Sequence, residues 1–433
     1  MELATLGLFS AMLLVCVVLE KSVLWALAAG FVLFFAYGLR KGFTAREMLD
    51  SAVSGVKTIK NILICLTMIG VLTALWRAAG TIPVIVSWAA AAIQPQIFLL
   101  MTFLLNAMVS VLTGTAFGTA ATMGVICSTM AAGMGLDMTL VGGAVLSGVF
   151  FGDRCSPVST SALLVAELTG TAVLKNIRNM LRTAAVPTLA ACVVFFLLGR
   201  GSAGGAVPDL AALFSRGFRL HWAAALPAAA ILVLSACKAS TRRTLGASIL
   251  MALGVCVWLQ NIPPAELPGL VLRGYHSADP EIAAMMNGGG VISMVKVCSI
   301  VMISSTYSGM FQKTGLLNGV QSRIGALAGR IGTFGAYAAT SVVAGMIACN
   351  QTLAIMLVQQ LCGKLRSHAG QAAIDLEDSA VVIAGLVPWS IAGAVPLASV
   401  GAPTKSMLFA CFLYFLPLWR MITEKCGRGF SAK

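Results

Sequence analysis

Apolar runs of membrane-crossing length recur from one end of this chain to the other. Leu3–Leu19, Ser22–Leu39, Asn61–Trp76, Ala184–Leu198, Trp222–Ala236, Leu245–Leu259, Val291–Phe311 and Met407–Arg420 each read as a span. A bilayer core takes about 20 residues of helix. Inside it every backbone polar group needs an internal partner, so runs without strand alternation must be helices. Charged residues make up 10% of the chain, against about 25% in globular domains. The expectation is an all-α polytopic membrane protein whose first partner is the lipid bilayer. The net charge of +14 then reads as basic loops facing the cytoplasm rather than as a nucleic-acid surface. The 12 cysteines lie mostly within apolar runs and read as small reduced side chains, not as disulfides or metal ligands. No H-E-x-x-H motif or nucleophile–base pair suggests an enzyme, and no cofactor is implied. Rings of identical residues, the mark of a channel, are not evident either.

Four further runs are interrupted. Ile97–Met130 is long enough to enter and return, with Thr113-Gly114-Thr115-Ala116-Phe117-Gly118-Thr119 at its centre. Thr139–Leu168 is broken by Gly152-Asp153-Arg154-Cys155-Ser156-Pro157-Val158-Ser159-Thr160-Ser161. Phe334–Leu361 is a second candidate re-entrant hairpin, centred on Ala348-Cys349-Asn350-Gln351-Thr352. Ser379–Val400 is broken at Val387-Pro388-Trp389-Ser390 and again at Pro396. Two shorter segments, Ile82–Ile93 and Leu316–Leu327, are expected to lie along the interface.

The two sets match in order and hydropathy at a shift of about 235 residues, the pattern of two inverted repeats. The chain therefore divides into N-terminal spans (1–54), repeat 1 (55–170, hairpin 97–131, broken helix 139–168), connector spans (171–285), repeat 2 (286–420, hairpin 334–365, broken helix 379–400) and a tail (421–433). With both termini in the cytoplasm, about 20 of the 29 Lys and Arg fall inside and about 7 outside. Arg40–Lys60, Lys175–Arg182 and Lys238–Arg243 are read as cytoplasmic loops.

Helices broken at mid-membrane are how secondary transporters build ion sites. Asp153 sits at such a break, and a charge at the bilayer centre costs at least about 3 kcal/mol. Asp153 reads as the ion-holding carboxylate, against the plainer role of a helix-end cap paired with its neighbour Arg154. Arg154 either binds an anionic group or anchors a helix. Thr113, Thr115 and Thr119, with Ser156, Ser159 and Thr160, offer oxygens that suit a small hard cation. The plainer reading is small-residue helix packing. Sodium ligation rests first on Asp153, Thr115 and Ser156. Asn350, Gln351, Thr352 and Ser390 add uncharged ligands from the second half. Trp389 reads as packing or gating, and Lys296 as either snorkelling or reaching the site. Glu167 reads as interfacial. Asp375-Leu376-Glu377-Asp378 reads as N-terminal capping on a solvated face.

At these motifs the chain resembles the NhaC-type sodium/proton antiporter family. Asn287-Gly288-Gly289-Gly290 with Met294, and Leu376-Glu377-Asp378-Ser379 followed by Leu386-Val387-Pro388-Trp389, carry the resemblance together with the Thr113 and Gly152 stretches. It implies an inverted-repeat antiporter in a cell membrane, with Na+ and/or H+ as coupling ions. Members typically carry Asp where this chain has Thr160, often Asp at Asn350 and Asn at Ser390, which leaves Asp153 as the exchange carboxylate. The alternative keeps the fold and makes the cargo a small organic solute, an amino acid or carboxylate, moved with Na+. Carriers of this superfamily are often dimers; no stretch of the sequence marks a dimer surface, so a homodimer stays open.

Overall fold

The computed structural model describes residues 5, 7–9, 11, 12, 15, 16, 22–58, 60–90, 95–157, 159–202, 210–237, 239–315, 327–348 and 350–425. Among them every regular element is helical, apart from one bridge between Tyr275 and Gly288. The expected span Leu3–Leu19 and segment Leu316–Leu327 fall largely outside the described residues, as do Cys349, Val158 and residues 426–433 of the tail.

Among the described residues the longer helices, in chain order, are α1 (Val23–Arg40), α2 (Ala45–Thr58), α3 (Lys60–Ala78), α4 (Thr81–Ala90), α5 (Phe98–Thr113), α6 (Ala116–Gly133), α7 (Met138–Cys155), α8 (Thr160–Thr169) and α9 (Val173–Ser202). They continue as α10 (Leu226–Ala236), α11 (Thr241–Trp258), α12 (Val291–Thr314), α13 (Thr333–Ala348), α14 (Gln351–Cys362), α15 (Ala369–Asp378), α16 (Ile391–Ser399) and α17 (Cys411–Lys425). Among the described residues three helices are long and apolar enough to cross a bilayer: Ala116–Gly133, Val173–Arg200 and Val291–Phe311. Two bent pairs raise this to five if each is one span: Leu63–Ala78 with Thr81–Trp88 at 65°, and Ala369–Leu386 with Ile391–Ser399 at 56°. This is the build of a polytopic membrane protein.

Two stretches read as loops are helical. Arg40–Lys60 contains α2, whose Met48, Ala52 and Gly55 follow one another at helical spacing on a buried face. They pack on α12, where Gly55 meets the backbone of Ser305 and Gly309. Its start is a capping box: the Thr44 N–H donates to Glu47 Oε2 at 2.9 Å, and the Glu47 N–H donates to Thr44 Oγ1 at 3.3 Å. Lys175–Arg182 is the first part of α9. Asn176, Met180, Thr183 and Ala184 face the protein, and the basic side chains Lys175, Arg178 and Arg182 face out. In both cases polar composition hid an amphipathic period. The segment expected along the interface, α4, is instead packed inside, with Ile82, Val84 and Val86 buried after the turn at Gly80.

The site rests on the pairing of α5 with α7. Gly148 and Gly152 face the α5 backbone between Phe103 and Val111, where any side chain would collide. Between helices in a membrane, close packing rather than water exclusion supplies the attraction. Phe103 of α5, Phe195 of α9 and Phe412 of α17 fill the space around this pair, with Phe103 and Phe195 ring centroids 5.4 Å apart.

Candidate functional site

Each of the four sequence breaks is a helix start capped by its own polar side chain. Gly114 ends α5 in the left-handed conformation (φ 66), and the Thr115 hydroxyl then accepts from the Gly118 N–H that opens α6. Ser159 accepts from the Ser161 and Ala162 N–H groups at the start of α8. Asn350 Oδ1 accepts from the Leu353 N–H at 2.8 Å to open α14. The Ser390 hydroxyl accepts from the Ala392 N–H to open α16. A short oxygen-bearing side chain at N-cap satisfies orphan helix donors, and here those caps lie in the interior rather than at a wet surface. Shortly after its cap, α6 widens into a π-turn at Ala120–Gly124, a local form frequent at functional sites.

Three of the breaks converge on one carboxylate: its own, the one at Asn350 and, through the Ala116 N–H, the one at Thr115. Asp153 lies near the end of α7 and is 4% exposed. Its Oδ1 accepts from Ser159 Oγ at 3.3 Å. Its Oδ2 accepts from Ser161 Oγ at 3.2 Å and from Gln351 Nε2 at 3.1 Å. Gln351 Nε2 also donates to the Val381 carbonyl at 3.0 Å, tying the helical turn Ala380–Ile383 to the same point. All of these donors are neutral. The arrangement can exchange a hydrogen-bonded proton for a small cation without breaking an ion pair.

The other expected residues divide. Thr113 and Thr119 share a hydroxyl–hydroxyl bond of 2.8 Å, and Thr119 Oγ1 also donates to the Thr115 carbonyl at 2.9 Å. Ser156 Oγ donates to the Val111 carbonyl at 2.6 Å and ties the α7 break to α5. Ser390 is buried, and the Trp389 indole donates to the Met346 carbonyl at 2.9 Å while packing with Val387 and Ile347. Thr160, Thr352 and Lys296 are exposed. Among the described residues no group of three His, Cys, Asp or Glu has metal-binding geometry.

Arg154 turns away from Asp153, so the plainer reading, a helix-end cap paired with its neighbour, does not describe the two. Successive helical residues point in directions about 100° apart. Arg154 is fully buried and pairs with Asp378; it also donates to Thr183 Oγ1 at 2.7 Å and to the Met180 carbonyl at 3.1 Å. From there an ion chain continues. Arg420 Nε meets Asp378 at 2.9 Å, and Arg420 Nη2 meets Asp375 at 2.7 Å. Arg366 joins Asp375 and Glu424 at 2.6 Å each. Glu424 then accepts from the Phe334 N–H at 2.8 Å, at the start of α13.

The solvated-face reading of Asp375-Leu376-Glu377-Asp378 is therefore overturned. These residues close α15, and all are buried. Arginines from α7 and α17 fold over them, so the acidic run that looked like a surface is an interior ion-pair site. Ser161, Glu377 and Arg420 were missed as well. Ser161 lay inside the recognised motif. The signal for the acids was their apolar flanks, Ala372-Ala373-Ile374 before and Ala380-Val381-Val382-Ile383 after.

Comparison with known proteins follows this geometry. The family model for the Na+/H+ antiporter family matches residues 2–167 and 148–423. The Na(+)/H(+) antiporter NhaC of Alkalihalophilus pseudofirmus is 27% identical over 91% of this chain and 88% of its own length. The Na(+)/H(+) antiporter NhaC of Bacillus subtilis is 29% identical over 89% of this chain and 88% of its own. The malate-2H(+)/Na(+)-lactate antiporter of Bacillus subtilis is 25% identical over 95% and 91%. All three are transporters, not enzymes.

Proposed function

Because the chain belongs to the Na+/H+ antiporter family, we propose that it exchanges Na+ for H+ across the cell membrane with Asp153 as the carboxylate that holds the cation. The observation that carries this reading is the buried Asp153 carboxylate, held among the described residues by the neutral donors Ser159, Ser161, Gln351 and the Ala116 N–H, where three helix breaks meet. A carboxylate takes either a proton or a sodium ion, and neutral oxygen ligands complete a sodium shell. Ser159 and Ser161 supply the nearest hydroxyls; Ser156 on the same break and the Thr113–Thr119 turn on the neighbouring one are further oxygens.

In this reading the α5–α6 and α13–α14 pairs are re-entrant hairpins of two inverted repeats, and both termini are cytoplasmic. The caps support it. Thr115 and Asn350 open corresponding helices about 235 residues apart, and Ser159 and Ser390 do so about 230 apart, the spacing expected of a duplicated unit. The test is sodium-driven pH change in proteoliposomes carrying a trapped pH dye. The wild-type protein is expected to move protons against sodium, and Asp153→Asn to abolish the signal. An Asp153→Asn protein that exchanges normally sinks the role assigned to Asp153.

A second reading has a specific support: the malate–lactate antiporter relative covers this chain as fully as the sodium/proton antiporters do. Here a small carboxylate or amino acid travels with the ions. Thermal shift with organic acids and amino acids, with and without Na+, separates the two; a sodium-dependent solute effect favours the second.

A further inference from the structure

Glu377 is the one acid of the α15 cluster that the ion chain leaves out. Arg154, Arg420 and Arg366 are matched by Asp378, Asp375 and Glu424. Glu377 is completely buried, and among the described residues neither of its carboxyl oxygens has a hydrogen-bond partner. Burying an ionised carboxylate without donors costs several kcal/mol even after relaxation, whereas the neutral acid loses far less. Arg154 follows Asp153 on α7, but its two terminal nitrogens are committed to Asp378, Thr183 and the Met180 carbonyl, and its Nε makes no hydrogen bond to Glu377.

We propose that Glu377 carries the transported proton, and that its charge competes with that of Asp153, so that sodium arriving at Asp153 drives the proton off Glu377. The proposal rests on the sodium/proton reading of Asp153 given above. Asp378 lies beside Glu377 on α15, and the Arg154–Asp378 pair brings Arg154 and its α7 neighbours Asp153 and Cys155 to the same place. A negative charge on Asp153 or Asp378 works against one on Glu377, and the Arg154 cation works for it. Asp378 and Arg154 are locked to each other, so the one variable charge in the set is that of Asp153. With Asp153 ionised and empty, Glu377 keeps its proton. With sodium bound, the opposing charge is cancelled, and Glu377 releases the proton to water once the helix opens. Sodium departure reverses the order. One proton leaves for each sodium bound, which is antiport by like-charge exclusion between two carboxyl groups. The hinge for opening is adjacent: α15 stops at Asp378, and Ser379 (φ −122, ψ −80) breaks the helix before Ala380.

The test pairs infrared difference spectroscopy with the proteoliposome flux, on the full-length protein. Wild type is expected to show the C=O stretch of a buried protonated carboxylic acid that fades when NaCl replaces choline chloride at fixed pH. Glu377→Gln is expected to lack that band and to lose sodium-driven proton flux by about a hundredfold, the scale on which a positioned proton carrier acts. Glu377→Asp is expected to shift the band and keep measurable flux, so the assignment survives if the Gln variant does not fold. A band unchanged in both variants, or wild-type flux in Glu377→Gln, overturns the proposal. Absence of sodium-driven proton flux in the wild type, with the Glu377 band present, instead removes the sodium/proton reading while Glu377 is still seen to hold a proton.

Discussion

Gln351 donates one amide nitrogen to both the Asp153 carboxylate and the Val381 carbonyl, at 3.1 and 3.0 Å. Residues 198 positions apart in sequence are thereby joined at the centre of the fold. A neutral donor holds a carboxylate without fixing its charge, which an arginine in the same place would do. Gln351→Ala is expected to raise the sodium KM about tenfold, since a hydrogen bond to a charged group is worth about 1.5–3 kcal/mol. Gln351→Lys is expected to stop exchange, because a fixed cation displaces sodium. Both are read as sodium-dependent pH change in everted vesicles. A Gln351→Lys protein with normal exchange would remove Asp153 from the ion path.

The ion chain predicts a pattern of stability losses. Arg154→Met alone leaves Asp378 paired among the described residues with Arg420, and Asp378→Leu alone takes from buried Arg154 its paired carboxylate. Breaking one side of a buried pair costs about 3–5 kcal/mol. The double variant removes both charges from that contact, so its loss is expected to be smaller than the sum of the two single losses. Melting temperature in detergent, followed by size-exclusion fluorescence, gives the comparison. Additive losses would mean that Arg154 and Asp378 do not interact in the membrane.

Close approach of α5 and α7 makes a third prediction. A methyl group added at Gly148 would lie 2.7 Å from the Asn106 Cβ and 3.0 Å from the Ala107 nitrogen. Gly148→Ala is expected to destabilise by about 1–3 kcal/mol, the usual range for overpacking. Gly254 has nothing nearby, so Gly254→Ala, in the middle of α11, is the control and is expected to be neutral or slightly stabilising. Equal thermal shifts in the two variants would contradict the close packing.

What the sequence made legible was local. Gly114, Thr115, Ser159, Asn350 and Ser390 mark helix breaks because the chemistry of a break lies within a few residues of it. Asp153 stood out because a charge in an apolar run is costly wherever it goes. The partner of Arg154 was not legible, since Asp378 lies 224 positions away and no local rule connects them. The same holds for α15. Three acids in four residues look like a surface until Arg154 and Arg420 arrive from other helices to pair with Asp378 and Asp375. The amphipathic α2 and the start of α9 were hidden for another reason: the basic side chains between the buried positions mask a helical spacing such as that of Met48, Ala52 and Gly55.

Ser159 and Ser161 separate cation binding from helix capping. Ser159 Oγ accepts from two backbone N–H groups of α8 and donates to Asp153 Oδ1. Ser161 Oγ contributes no cap; it reaches the Asp153 carbonyl at 3.0 Å and Oδ2 at 3.2 Å. Ser159→Ala is therefore expected to lower stability by about 1 kcal/mol, as loss of a cap does, and to raise the sodium KM as well. Ser161→Ala is expected to raise the sodium KM severalfold with a thermal shift well below that of Ser159→Ala. Sodium-dependent exchange and melting in detergent, measured on the same preparations, give the two readouts. If Ser161→Ala melts early and binds sodium normally, the hydroxyls around Asp153 are structural, and the cation must find its oxygens elsewhere, beginning with the Thr113–Thr119 turn.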